Sequence, residues 1–450
     1  MPSALARVQN LERPHSEEMR RRKKTWWGPR QRRGLAAGIK PLAKDGRNQC
    51  FFSSLGPAYK TRVLLFVLFK SALCAKVKDM TQLIAGPMAT LSHEAFRRLV
   101  EKFGGPDEYY TEMINAPTLL QKGPFEKYYL MNGPAPQKIV WQLTSKEAAS
   151  MAAAVEILAP LGGIGIDINM GCSAPEIVHS GAGIAWMLKP QEETLSMVKG
   201  VKRAMEKAAP DFRLSAKIRL GAENFSEEKF YDFCEGLCDS GVQRIVLHPR
   251  AQREKLSRPP RRFYAQRLAA LLKPRGVEVI YNGNVKDAPS ARAALLDCPD
   301  CSGLMISRAA VQKPWIFAQL RAALFGQPSD FSQDLNGAAL NGAACADESP
   351  SAKGAAASND CALAAAFGSP NNRVDLMQTG LDYIALLQEF QPKEFFKSRM
   401  QRFFSYYCDN FTFGHYIKMK MLNAASPQEA EETFRSYFDE QPDDRFKALQ

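Results

Sequence analysis

The stretch Gly163-Ile164-Gly165-Ile166-Asp167-Ile168-Asn169-Met170-Gly171-Cys172-Ser173-Ala174-Pro175 decides how this chain is read. Its first half alternates small and β-branched residues and predicts a buried strand. The strand breaks at Gly171. A thiol follows one residue later, in a loop closed by Pro175. A cysteine held by Gly and Pro at the mouth of a strand is a frequent place for chemistry.

Working outward, the same pattern of short strand and amphipathic helix recurs. Strands are predicted over 83–86, 109–113, 138–143, 164–169, 214–219, 244–248, 278–281 and 303–306. Between them, Ser92 is expected to cap a helix running to Phe103 and ended by Gly104. Ser145 is expected to cap an Ala-rich helix. Further helices are predicted over 191–207, 227–239 and 287–296, and a last one from Pro314 to about residue 325. Eight strands alternating with helices over about 245 residues predict an α/β chain built on a (β/α)₈ TIM barrel. Active sites of that fold lie at the carboxyl ends of the strands, and nearly every strand here ends in a polar or conformationally special residue.

The flanks differ. Residues 1–79 are rich in Arg and Gly and read as a basic, disordered extension, with Met80 as an alternative start; an RNA-binding arm is the competing reading. Residues 327–372 are rich in Ala, Asn, Ser and Gly and read as a low-complexity linker or insertion. Residues 373–450 return to helical periodicity over 376–388, 394–407, 413–422 and 427–438, a small all-α domain. Its middle interleaves Lys393, Lys397, Arg399, Arg402, Lys418 and Lys420 with Phe and Tyr, opposed only by Glu394 and Asp409.

Net charge bears less on function than it first suggests. The formal balance is +13, but the first 80 residues carry 18 Lys/Arg against 5 Asp/Glu, and the other 370 carry 42 of each. A nucleic-acid argument must therefore rest on local clusters. The ten cysteines lack disulfide-type spacing and suit a reducing cytoplasm. The apolar run 63–69 is too short for a bilayer, which needs roughly 20 residues. A four-thiolate metal site from Cys234, Cys238, Cys298 and Cys301 is set aside, because the sixth β/α unit separates the carrying segments.

The strand ends suggest an anionic ligand. Asn282-Gly283-Asn284 allows close backbone approach, and Ser307-Arg308 adds a hydroxyl and a guanidinium. The loops after strands seven and eight are the usual phosphate site of such barrels. Lys217 points into the mouth and needs an electron-rich partner, either a flavin's N1–C2=O2 edge or a carboxylate. His248 is a structural histidine or, with Arg250 beside it, a phosphate contact. Cys172 is an inert buried thiol or a general acid, since an unperturbed thiol stays mostly protonated at neutral pH.

Taken together, Gly86-Pro87-Met88-Ala89, Thr111-Glu112-Met113, Gln142-Leu143, Asp167-Ile168-Asn169-Met170-Gly171-Cys172, Lys217-Ile218-Arg219, His248-Pro249-Arg250, Asn282-Gly283-Asn284 and Ser307-Arg308-Ala309 resemble the tRNA-dihydrouridine synthases. The resemblance runs from about residue 80 to the end. It implies an FMN-binding barrel over 80–326 and a C-terminal helical tRNA-binding domain over 373–450. It further implies that NADPH reduces FMN, that hydride passes to C6 of a uracil base, and that Cys172 protonates C5. Pro87, Met88, Gln142, Lys217, His248, Asn282, Gly283, Asn284, Ser307 and Arg308 would hold FMN. Asn169, Arg219 and Arg250 would contact the base and its surroundings, while Lys397, Arg399 and Arg402 would contact tRNA. A cytoplasmic monomer, with no membrane, metal or stable protein partner, is expected.

Four features depart from the family pattern: Ser173 where Pro is usual, Ser307 where Gly is usual, His93 where an acid is usual, and the insertion at 327–372. Ser173 puts the stiffness of the catalytic loop in question. Another FMN-dependent barrel oxidoreductase acting on a small pyrimidine or enone would share the phosphate site but would not need the basic helices. A non-catalytic RNA-binding protein would hold no flavin.

Overall fold

Eight parallel strands close on themselves in the computed structural model, which describes residues 81–326 and 373–448. The strands are β1 (Gln82–Ala85), β2 (Glu108–Tyr110), β3 (Ile139–Thr144), β4 (Gly165–Met170), β5 (Arg213–Ile218), β6 (Arg244–Leu247), β7 (Glu278–Asn282) and β8 (Gly303–Ile306). Closure comes from β1 pairing with both β2 and β8, and from β2 pairing with β3 through Tyr109 against Ile139. The two-residue strand Ile114–Asn115 also runs beside β3. This is the predicted barrel, with each strand within a few residues of its expected place. The expectations for 1–79 and 327–372 lie outside the described residues.

Helices α1 (Glu94–Glu101), α2 (Ala148–Leu158), α3 (Gln191–Ala208), α4 (Glu227–Asp239), α5 (Arg262–Leu272), α6 (Ala288–Asp297), α7 (Arg308–Gln312) and α8 (Ile316–Phe325) lie in this part of the chain, with further short helices at Ala116–Leu120, Glu126–Tyr129 and Pro175–His179. Three details correct the sequence reading. The residue capping α1 is His93, whose Nδ1 accepts the Phe96 N–H at 3.4 Å, because Ser92 is taken by the Met88 N–H and the Gly86 carbonyl. Ser145 sits two residues before the cap position and accepts the Glu147 N–H. Helix α5 had no predicted counterpart, since its start lies in the Arg/Pro-rich run 258–262 that reads as loop.

Period-two alternation divides the strand residues. Ile84, Tyr110, Val140, Val246, Ile280 and Met305 form a small buried cluster inside the barrel. Their neighbours in sequence, such as Leu83, Tyr109 and Leu247, join the larger core beneath the helices. The amino end of the barrel is closed by charge. Arg244 is fully buried and donates to Glu108 at 2.5 Å, to Glu278 at 2.6 Å and to Gln82, while Arg213 meets Glu108 at 2.7 Å. Removing one partner of such a network strands the other. Arg244→Ala is expected to cost about 3 kcal/mol, read as a lowered denaturant midpoint in equilibrium unfolding.

The C-terminal region is helical: α9 (Leu376–Phe390), α10 (Lys393–Tyr407), α11 (Gly414–Asn423) and α12 (Pro427–Glu440). An antiparallel pair, β9 (Arg373–Asp375) with β10 (Phe446–Ala448), ties its two ends together and was not anticipated. Aromatic rings fill its core. Phe403 stacks between Tyr383 at 3.8 Å and Tyr407 at 4.9 Å, and Phe434 meets Phe404 and Phe411 edge-on. Gly380 is needed there, since a Cβ would lie 2.3 Å from the Phe434 ring. No described helix is long and apolar enough to cross a membrane.

Candidate active site

The opening stretch forms β4, and its inward-facing polar residues build a hydrogen-bonded chain. Residues Gly165, Asp167 and Asn169 alternate along one face, and the register sets Gln142 beside Asp167 and Asp167 beside Ser215. Gln142 Nε2 donates to Asp167 Oδ2 at 2.7 Å, and Ser215 Oγ donates to Asp167 Oδ1 at 2.7 Å. Asn169 Nδ2 donates to Gln142 Oε1 at 2.9 Å. Asn169 Oδ1 then accepts the backbone N–H of Gly171 at 3.3 Å and of Cys172 at 3.0 Å. Backbone N–H groups can only donate, so they fix which way the Asn169 amide faces. That orientation fixes Gln142 in turn, and an acceptor at Asp167 completes the chain. Burial pushes the Asp167 carboxyl up to about 6, against the pull of the Ser215 and Gln142 hydrogen bonds.

This chain presents Cys172 at the carboxyl end of β4. The thiol is half-buried and free. Its carbonyl accepts the Ile184 N–H at 3.0 Å, so the Cys172 loop is pinned at both backbone atoms. Gly183 is required for this approach: its φ is +61°, and a Cβ there would lie 2.6 Å from the Cys172 carbonyl. Arg219 closes the other side, donating from Nε to Gly171 O at 2.9 Å and from Nη1 to Ala251 O at 3.2 Å.

Beside the thiol loop opens a cavity of about 630 Å³, lined among others by Pro87, Lys217, His248, Asn282 and Ser307. Lys217 Nζ is half-buried and takes an amide oxygen, Asn282 Oδ1 at 3.0 Å, rather than a carboxylate. Burial, and then the neighbouring Arg219, pull its ammonium down to about 8, against Asp167 and Cys172. His248 Nε2 receives a hydrogen bond from Arg250 Nη1. Burial, followed by Lys217, Arg219, Arg250 and Arg308, drives the imidazole down to about 2, so it is neutral. Four cations thus surround one neutral imidazole. Gly86 and Gly283 keep its walls close: a Cβ on Gly86 would lie 2.3 Å from Ser307 Oγ, and one on Gly283 3.0 Å from Pro260. Arg308 and Asn284 are exposed at the rim and touch at 3.3 Å. From the helical region, Tyr406 and Asp409 border the same cavity.

A model of the family described as "Dihydrouridine synthase (Dus)" matches residues 83–345. The chain belongs to the dihydrouridine synthase family. Among its relatives is a "Probable tRNA-dihydrouridine synthase" of Rhodobacter capsulatus, 32% identical over 252 residues, covering 54% of this chain and 72% of that protein. One of the same description in Aquifex aeolicus is 33% identical over 244 residues, covering 53% of this chain and 72% of its own. A "tRNA-dihydrouridine(16) synthase" of Pseudomonas syringae pv. tomato is 29% identical over 252 residues, covering 55% and 76%.

Within this family member, most residues singled out from sequence converge. Pro87, Lys217, Arg219, His248, Asn282, Gly283, Asn284, Ser307 and Arg308 line one cavity. Asn169 and Cys172 stand beside it through Arg219. Met88 is half-buried against the core, in the loop after β1. Three residues are buried more deeply than the sequence suggests. Gln142 is wholly buried, with its amide bonded to Asp167 and Asn169. Arg250 is also wholly buried and holds its own loop through Nη2, donating to Arg258 O at 2.6 Å and Leu256 O at 3.3 Å, while the residue lines the cavity beside His248. Arg399 is 2% exposed and paired with Glu112, which removes it from any RNA surface, while Lys397 and Arg402 on the same helix are exposed. Conversely, Asp167 and Ser215 were missed, although the period-two spacing of Asp167 and Asn169 already puts both on one face.

Of the four cysteines weighed as a metal site, Cys234 is buried and the other three thiols bond backbone carbonyls. Cys238 Sγ bonds the Cys234 carbonyl within α4, and the Cys298 and Cys301 thiols bond the Arg262 and Ala265 carbonyls of α5. Among the described residues no three His, Cys, Asp or Glu side chains gather as metal ligands.

His93, the departure in the loop after β1, is buried and faces two arginines. Burial, then Arg399 and Arg97, hold its imidazole well below 6.5. The unfolded chain takes up that proton near pH 6.5 and the folded chain does not, so this contribution to stability is lost as pH falls below 6.5. His93→Asn keeps a capping oxygen and has no such proton. Its loss of unfolding free energy between pH 7 and 5.5 is expected to be about 1 kcal/mol smaller than that of the wild type, measured by denaturant titration.

Proposed function

We propose that this chain reduces the C5=C6 bond of uridines in tRNA to 5,6-dihydrouridine, using FMN as its resident cofactor and NADPH as reductant. The observation that carries the reading is the pairing of a pinned, half-buried thiol at the end of β4 with a cationic cavity at the ends of β5 to β8.

The residues present fit FMN on their own chemistry. The Arg250 Nε is buried without a partner, and four cations crowd a neutral His248. An anion is the missing complement. Asn282, Gly283, Ser307 and Arg308 would hold the phosphate, and Lys217 would face the electron-rich edge of the ring system. When bound, FMN supplies a hydride to C6 of the uracil.

The remaining steps belong to this chain. Cys172 gives its Sγ proton to C5 on the face opposite the hydride, and the thiolate recovers a proton from solvent. Asn169 and Arg219 keep that thiol in register by holding the backbone of Gly171 and Cys172. Lys397 and Arg402 are exposed on α10, and Arg402 lies over the ring of Tyr406, which borders the cavity. They suit phosphate contacts that position a folded RNA whose target base has left its stack.

Purified full-length protein should carry a flavin absorption band and consume NADPH when unmodified tRNA transcript is added. Turnover of free uracil or an enone in place of tRNA would point to a small-molecule oxidoreductase. Absence of flavin would point to an RNA-binding scaffold.

A further inference from the structure

We infer that Arg399 is a positioning residue, through which the C-terminal helices hold the loop after β1 in the shape that binds the cofactor. The inference rests on the flavin reading given above. It assigns this arginine and its partner Glu112 a task that neither the barrel nor an RNA surface explains.

Glu112 lies just past β2, 5% exposed, and faces two groups at once. Its Oε2 receives Arg399 Nη1 at 2.9 Å, from α10 of the helical region. Its Oε1 accepts the backbone N–H of Thr90. Thr90 has φ +64°, a left-handed conformation that a β-branched residue adopts only under constraint. The loop that carries it begins at Gly86 and Pro87. Pro87 lines the cavity, and Gly86 packs against Ser307. A carboxylate neutralised on one oxygen by an arginine therefore holds a strained loop residue with the other.

A second link runs in parallel. Tyr383 of α9 donates to the Arg399 carbonyl at 3.2 Å and meets His93 Nε2 at 3.4 Å. His93 caps α1 at the far end of the same loop. Between these ends, Ser92 Oγ donates to the Gly86 carbonyl at 3.2 Å and accepts the Met88 N–H at 2.9 Å. The rings of Phe395 and Tyr129 cover the guanidinium, at 4.8 and 5.9 Å, so water cannot replace its bond to Glu112 cheaply. Both links start in the helical region and end on the β1–α1 loop.

A buried ion pair that only stabilised the fold would leave ligand affinity alone once the protein is folded. The test therefore reads affinity, in full-length protein stripped of flavin and held well below its melting temperature. FMN is titrated by quenching of its fluorescence, and tRNA by anisotropy, for the wild type, R399M and the pair K397A/R402A. R399M is expected to raise the FMN Kd by about tenfold or more while changing tRNA affinity little. K397A/R402A is expected to do the reverse. An unchanged FMN Kd in R399M overturns the inference, as does a loss of tRNA binding matching that of K397A/R402A. A wild type that binds no FMN refutes the flavin reading instead. Should R399M not fold, E112Q and Y383F each weaken one link and are read in the same titration. An unchanged FMN Kd in both also overturns the inference.

Discussion

Replacing Cys172 with alanine is expected to leave FMN bound and to lower dihydrouridine formation by about 10²- to 10⁴-fold, the usual range for loss of a positioned general acid. The argument is geometric. The backbone of Cys172 is fixed from both sides, by Asn169 Oδ1 on its N–H and by the Ile184 N–H on its carbonyl. Neither contact involves Sγ, so truncation removes the proton donor without freeing the loop. The proposed phosphate contacts at Asn282, Gly283, Ser307 and Arg308 are on other strands and are untouched. Cys172→Ser keeps shape but offers a far weaker acid, and is expected to behave like the alanine variant. The check is single-turnover oxidation of reduced enzyme by tRNA, with product quantified by mass spectrometry. Wild-type product levels from either variant would remove Cys172 from the mechanism.

Lys217→Met is expected to have opposite effects on stability and on binding. Burial next to Arg219 pulls the Lys217 ammonium down to about 8, while the unfolded chain holds that proton up to 10.5. The charged amine therefore costs stability at neutral pH, and the cost is relieved as pH rises through 8 toward 10.5. Methionine has similar volume and no charge. The flavin-free variant is expected to be more stable at pH 7 by about 1–3 kcal/mol, and its advantage should shrink above pH 8. FMN affinity should fall at least about tenfold, as expected for loss of a charge-assisted contact. Denaturant unfolding and flavin titration on the same preparation check both halves. A less stable variant would mean that an unseen carboxylate partner, and not a ligand, is what Lys217 is for.

Local features were legible in the sequence and long-range ones were not. Strand positions follow from period-two runs punctuated by Gly and Pro. The polar residues at the strand ends become a cavity as soon as the barrel closes, which is why Lys217, His248, Asn282 and Ser307 were found without coordinates. Arg399 was misread for a reason of the opposite kind. Helix α10 carries cations on several faces, and only the docking of that helix onto the barrel decides that Arg399 turns inward to Glu112, 287 residues away. The carbonyls of Leu256 and Arg258 that anchor Arg250 belong to an irregular loop, whose shape no local periodicity predicts. The Arg244 network and the β9–β10 pair likewise join residues far apart in sequence, so no window of sequence contains them.

The central claim is that the thiol after β4 and the cationic cavity beside it form one device for reducing uridine in tRNA. Dihydrouridine mapping tests it most directly. Total tRNA from cells lacking this gene is compared with tRNA from the same cells supplied with the wild-type gene or the Cys172→Ala gene. Dihydrouridine should be missing at one or more defined positions, restored by the wild-type gene and not by the variant. An unchanged dihydrouridine map in the deletion strain, in cells with no second enzyme acting at those positions, would contradict the account.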